Sequence, residues 1–254
     1  MDAISRALDK AKQANEQAAR NQQPEPEMPR IGRAATQVVN PSPARLESNR
    51  VLTALSDQRA LDAYNLLRTQ VLQVTKAKGW TSLMVTSVGP GEGKTTTAIN
   101  LAASLARDAQ QTSLLVDCHL RAPKVDTYLG LEACPGLTDH LLNDEAIPDL
   151  LVSPGMDHFV VLPAGRCLSA STDLLGSPRV KGLVKEFQDR YPDRYVLYDC
   201  PHLLDMPDAL VFSSYVDGII LVVEADRTRQ QDIESALGLL KDKNLIGLVL
   251  NKVH

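Results

Sequence analysis

The 254-residue sequence has no excess of positive charge: 27 Lys and Arg stand against 31 Asp and Glu, a formal net charge of −4. Binding to a nucleic acid backbone is driven by cationic side chains that displace counterions, so no nucleic-acid partner is expected. The sequence also lacks any stretch near the roughly 20 consecutive apolar residues of a membrane-spanning helix. Its opening, "MDAISRALDKAKQ", carries charges where a secretory leader needs an apolar core. The expectation is a cytoplasmic protein without a transmembrane segment. Cysteine is scarce and unpatterned: Cys118, Cys134, Cys167 and Cys200 show no CxxC spacing, and a reducing compartment leaves them as thiols. Apolar residues make up 44% of the chain, enough for one main domain with a full core.

Residues 1–20 have helical composition, with Ile4, Leu8 and several alanines on neighbouring turns. The stripe is thin, so a marginal, solvated helix is expected, with docking on a partner as the alternative. Residues 21–50 carry Pro24, Pro26, Pro29, Pro41 and Pro43 among polar residues and read as an extended linker, the rest of a disordered N-terminal extension. The folded domain is assigned to residues 51–254. In "DQRALDAYNLLRTQVLQV", Leu61, Tyr64, Leu67 and Val71 recur at helical spacing. Beyond it, apolar runs such as "SLMVTSV", "TSLLVDC", "HFVVLPAG", "YVLYDC", "GIILVVEA" and "LIGLVLNKV" are separated by helical patterns at 94–108, 173–189, 207–215 and 228–242. Runs apolar on both faces fit strands covered on both sides, so the spacing predicts a three-layer α/β/α domain with a mostly parallel sheet.

One turn in this series carries chemistry. In "SVGPGEGKTTTA", Gly89, Gly91 and Gly93 let backbone amides turn inward, and the helix that follows aims its N-terminal dipole at the same point. Lys94 is placed to reach the β- and γ-phosphates of a nucleotide and Thr95 to offer a hydroxyl to Mg²⁺. The strict GxxxxGK[ST] pattern puts glycine at position 88, where this chain has Val88, so the loop is a variant of that pattern. Asp117 closes "SLLVD" and Asp199 closes "YVLYD", each at the end of a buried run where ligands gather in such sheets. A strand-end carboxylate also serves to cap the next helix, but two acids in this order after a phosphate loop favour the metal.

These residues resemble the bacterial tyrosine kinases of the P-loop class, which act in capsule and exopolysaccharide assembly. The resemblance runs from about Leu61 to the end of the sequence and rests on "SVGPGEGKTT", "LLVDCHLRAPKV", "YVLYDCPHLLDMPDA" and "GLVLNKV". It implies a P-loop NTPase fold and transfer of the phosphoryl group of MgATP to protein tyrosine, regulating polysaccharide polymerisation and export. ATP and Mg²⁺ are the implied cofactors. The implied catalytic residues are Lys94, Asp117 and Asp199, the metal residues Thr95, Asp117 and Asp199. The nucleotide residues are Gly89, Gly91, Glu92, Gly93, Lys94, Thr95, Thr96 and Asn251, the last facing the adenine. The implied partner is a membrane-bound chain-length or co-polymerase protein that recruits the chain to the inner face of the plasma membrane. "AISRALDKA" with the proline-rich linker resembles the stand-alone members of the family. The partition and septum-placement ATPases share the chemistry but carry an early loop lysine where this chain has Gly89.

The chain departs from the family at three places. Its second motif reads Asp117, Cys118, His119 where the family has a second acid, and a neutral His119 remains able to act as a base. The ring-forming E-x-x-R-x-x-R motif corresponds to Asp62, Asn65 and Arg68, so a homo-oligomer remains open and a ring is disfavoured. No tyrosine follows Tyr215, although the family ends in a tyrosine-rich tail. A catalytically degenerate regulatory module and a partition-like ATPase are therefore the alternatives to a kinase. Arg121 is open between phosphate and a surface salt bridge. Cys118, His119, Cys200 and His202 are open between a zinc site, a disulfide of the two cysteines, and two buried thiols with two loop histidines.

Overall fold

Short runs rich in Leu, Val and Ile, bounded by polar turns, become strands buried on both faces. In the computed structural model, which describes residues 37–53, 56–108, 111–190 and 194–253, they form one eight-stranded sheet. The strands are β1 (Gln37–Val38), β2 (Ser82–Ser87), β3 (Thr112–Asp117), β4 (Val152–Ser153), β5 (Phe159–Leu162), β6 (Arg194–Asp199), β7 (Gly218–Glu224) and β8 (Leu245–Asn251). Their order is β1-β4-β5-β3-β6-β2-β7-β8, and every neighbouring pair is parallel except β4 with β5.

Alternation along each strand feeds two cores. On one face Met84, Val196, Tyr198 and Leu221 meet α8 (Pro178–Arg190) through Val180, Leu183, Val184 and Phe187, and α10 (Gln230–Leu239) through Ala236. On the other, Leu83, Val85, Leu197 and Ile220 meet α3 (Lys94–Ala106) through Ile99, Leu101 and Leu105. Each such aliphatic side chain contributes about 1.5–3 kcal/mol on full burial. The result is the expected three-layer arrangement. Only Thr96 escapes burial on α3, because α3 lies on β3 and β6 and beneath α2 (Gln58–Lys78). Its Thr and Ala residues keep the helix thin enough for both contacts. Asp57 caps the start of α2, whose end is set by Gly79 at φ 68°.

The expected linker gives way to ordered chain from residue 37. β1 pairs with β4, and α1 (Pro43–Ser48) starts with Ser42 accepting from the Arg45 amide and Pro43 in the first turn. Leu46 and Val51 enter the core beside α4 (Val125–Leu129). The prolines that read as linker thus include one that initiates a helix. The helix expected at 173–189 is two helices, α7 (Ser171–Leu175) and α8, because Gly176 and Pro178 interrupt it. The pattern at 207–215 forms the shorter α9 (Pro207–Phe212), while α5 (Leu137–Asn143) and α6 (Ile147–Leu150) fill the region between β3 and β4. The expected N-terminal helix, the linker up to residue 36 and Tyr191 lie outside the described residues. Among the described residues no helix is long and apolar enough to cross a membrane.

Candidate functional site

The site is built at the C-terminal ends of β2, β3 and β6. β2 runs into residues 88–93, where Gly91 and Gly93 take φ of 79° and 96°, a region in which a side chain is strained. At Gly93 a Cβ would also collide with Asn251 Nδ2. Helix α3 begins there with no side-chain cap, so its first-turn amides lack acceptors within the helix. That set of free donors beside a buried lysine fits an anionic polyphosphate.

Lys94 Nζ lies 3.2 Å from Thr95 Oγ1, 3.2 Å from His119 Nδ1 and 3.5 Å from Asp199 Oδ1. Thr95 Oγ1 in turn donates to Asp199 Oδ2 at 2.6 Å. The expected residues Lys94, Thr95 and Asp199 are therefore brought together. Asp117 sits beside them in register with Asp199 on the neighbouring strand, but its carboxylate faces the backbone. Its Oδ1 accepts from the His119 amide at 2.9 Å, and Oδ2 from the Lys124 and Val125 amides at 3.1 Å each, so it caps the start of α4.

Both acids are fully buried. Burial, then the neighbouring Asp199, raises Asp117 from 3.8 to about 7. Burial also raises Asp199 despite the opposing pull of Lys94 and Thr95. Burial, then the positive Lys94, lowers His119 to about 3, so its ring is neutral at ordinary pH. His202 is lowered as well, by burial first.

Glu92 is buried and points into the loop rather than out of it. Its Oε2 accepts from the amides of Val88 at 2.9 Å and Gly89 at 3.0 Å, and Oε1 accepts from Thr228 Oγ1 at 2.7 Å. Gly89 thus offers its amide inward, while Gly91 and Gly93 shape the open side. Asn251 Nδ2 donates to Glu92 O at 2.8 Å, and Lys252 Nζ to Gly91 O at 2.8 Å. Thr96 is half-exposed one residue further along α3. Thr228 and Lys252 escaped the sequence reading, because neither stands in a local pattern that announces contact with a loop more than a hundred residues away.

The remaining expected groups find other partners. Arg121 Nε donates to Ser171 Oγ and Nη2 to Thr172 Oγ1, both at 2.9 Å, and Nη2 lies 3.3 Å from Asp208 Oδ2, which places it in a salt bridge. Asp208 also accepts from Ser171 Oγ. Arg68 Nη1 donates to Ser104 O at 2.9 Å, and Asn65 also meets Ser104, so both turn onto α3. Cys118 and Cys200 are free, buried thiols, and burial beside Cys200 pushes the Cys118 thiol well up. Among the described residues no group of three or more His, Cys, Asp or Glu is placed to hold a metal, so the two cysteines and two histidines do not converge on zinc. Magnesium would need less: one or two carboxylates besides the phosphates of a nucleotide.

Residues 83–254 match the CobQ/CobB/MinD/ParA nucleotide binding domain. Tyrosine-protein kinase YwqD of Bacillus subtilis (strain 168) is 32% identical over 213 residues, covering 82% of this chain and 87% of the relative. The chain belongs to the bacterial tyrosine kinases. Tyrosine-protein kinase CpsD of Streptococcus pneumoniae serotype 4 is likewise 32% identical, over 200 residues, covering 77% of this chain and 86% of the relative. The crystal structure of the VpsO kinase domain superposes with a TM-score of 0.69 at 31% identity, covering 77% of this chain and 97% of that one. The wider fold includes septum site-determining protein MinD of Pyrococcus horikoshii, complexed with Mg-ADP, at a TM-score of 0.55 and 24% identity over 66% of this chain and 68% of that one. The fold is thus shared with the MinD group, while relatives above 30% identity place the chain among bacterial tyrosine kinases.

Proposed function

We propose that this chain binds MgATP and transfers its terminal phosphoryl group to protein tyrosine in the regulation of polysaccharide polymerisation and export. The observation that carries the proposal is the meeting of Lys94, Thr95 and Asp199 at the uncapped start of α3. Bound MgATP would supply the transferable phosphoryl group and the cation that neutralises its oxygens. The loop amides and Lys94 hold the β- and γ-phosphates, and Thr95 and Asp199 hold the cation. Asp117 stands next to Asp199 and orients the tyrosine hydroxyl once substrate enters. Gly91 and Gly93 keep the loop free of side chains at the phosphates, and Asn251 and Lys252 anchor its carbonyls from behind.

The partner would be a membrane-bound chain-length or co-polymerase protein. The names of the relatives YwqD and CpsD support tyrosine as acceptor. Among the described residues no tyrosine is exposed, so the acceptor would belong to another protein. A regulatory module that binds nucleotide without transfer is the second reading. It is favoured by His119 at the family's second acidic position and by the backbone contacts that occupy Asp117.

Labelled ATP, Mg²⁺, the purified chain and a tyrosine-containing cytoplasmic segment of such a partner separate the readings. Label on tyrosine is expected. Tight ATP binding without label supports the regulatory module, and absence of binding to ATP or ADP refutes both.

A further inference from the structure

The contact between Lys94 and His119 is not required by a phosphate loop, and it has a definite chemistry. An ammonium group has three N–H donors and no lone pair, so whatever it meets must accept. Lys94 Nζ faces Thr95 Oγ1 and His119 Nδ1 at 3.2 Å each and Asp199 Oδ1 at 3.5 Å. Three donors meet three acceptors, so groups of the chain itself fill the lysine's hydrogen-bonding capacity. The contact also sets the tautomer of the ring: Nδ1 carries the lone pair and Nε2 the proton. His119 is half-buried, and its own amide is tied to Asp117 Oδ1 at 2.9 Å, which fixes the ring's base beside the site.

We propose that His119 is a positioning residue that parks Lys94 in the nucleotide-free site and yields it when a nucleoside di- or triphosphate enters. This rests on the nucleotide reading above. The choice of residue matters because the buried Asp199 carboxylate already meets this lysine, with the buried Asp117 on the next strand. A third acid at position 119 would hold the ammonium as an ion pair and add a negative charge against an incoming polyphosphate. A neutral ring nitrogen holds it by a hydrogen bond alone, so the lysine leaves more easily and no charge opposes the phosphates.

The test has two independent readouts. In full-length protein carrying ¹⁵N-labelled histidine, assigned with the His119→Asn variant, the nucleotide-free ring should show a bare Nδ1 and a protonated Nε2. The Nδ1 signal should then shift on saturation with magnesium-free ADP. A protonated Nδ1 in the free protein, or a signal that ADP leaves unmoved, overturns the proposal.

Calorimetry with magnesium-free ADP gives the second readout. His119→Ala removes the parking acceptor and should tighten binding roughly 10- to 100-fold, the range for losing one hydrogen bond to a charged group. His119→Asp should weaken binding by about 10-fold, since it adds a buried charge of the wrong sign. His119→Asn, whose amide oxygen can take the place of Nδ1, should stay near the wild type. Equal affinities across Ala, Asn and Asp variants that bind ADP overturn the parking role and leave the nucleotide reading intact. If the wild type releases no heat with ADP, the nucleotide reading falls and with it the exchange proposed here. The free-state tautomer still reports the Lys94 contact by itself.

Discussion

Asp117 and Asp199 end neighbouring parallel strands in register, both are fully buried, and burial raises the pKa of both. Their side chains nevertheless face different groups. Asp199 meets Lys94 and Thr95, whereas Asp117 accepts from three backbone amides. The difference lies in the segment that leaves each strand. Both strands are followed by a short helix at the same distance, α4 from Val125 and α9 from Pro207, but after Asp117 the Lys124 and Val125 amides fold back onto the carboxylate. After Asp199 the Cys200, Leu203 and Leu204 amides donate instead to the carbonyls of Val85, Ser87 and Val88, so none of them competes with the lysine. A strand-end acid is therefore assigned its work by the path of the chain beyond it.

Alanine at each position separates the two acids most strongly. Asp117→Ala strands three amides and should lower the unfolding free energy by about 3 kcal/mol in urea titrations, since each unsatisfied buried donor costs about 1–3 kcal/mol and water recovers part of the loss. Asp199→Ala should instead weaken Mg-ADP by roughly 100-fold in calorimetry, the effect of truncating one partner of a buried charge pair. Equal losses of stability and of nucleotide affinity in the two variants would show that the acids share one role.

A further effect is set by pH. The folded state holds the Asp117 proton up to about pH 7, while the unfolded chain releases it near 3.8. Between those values the native state binds more protons, so the stability contributed by this group is full below about pH 4 and is lost as pH rises toward 7. Urea midpoints taken across that window should fall with pH in the wild type and fall less steeply in Asp117→Asn. An unchanged slope would remove the group from the account.

Glu92 extends the comparison to a third buried acid, which like Asp117 is engaged by the backbone. Thr228→Val removes its hydroxyl partner and should cost about 1 kcal/mol, read as a lower thermal midpoint. The smallest expected effect is that of Lys252→Met, which frees Gly91 O from its anchor. Mg-ADP affinity should fall only about threefold, in keeping with the loss of one half-exposed hydrogen bond.

Much of this arrangement is legible in the sequence because its causes are local. The glycines at 89, 91 and 93, an apolar run before them and a helical pattern after them lie within one short stretch, and they identify the loop and the lysine that follows it. Leu61, Leu67 and Val71 mark α2 by their spacing, although only Val71 of the three is deeply buried. The segment at 37–50 reads as linker but is ordered, because proline content says little about whether one proline sits in the first turn of a helix, as Pro43 does. Gly176 and Pro178 likewise divide a helical pattern that apolar spacing alone reads as continuous.

Alternation, turn chemistry and helix starts act over a few residues, and they suffice to lay down the layered α/β fold, the phosphate loop and the two acids at strand ends. The packing of distant segments is what gives Lys94 to Asp199 and His119, sets Asp117 on α4, and brings Thr228, Asn251 and Lys252 to the loop. Those choices depend on distances between segments up to 161 residues apart and on burial that no local pattern encodes.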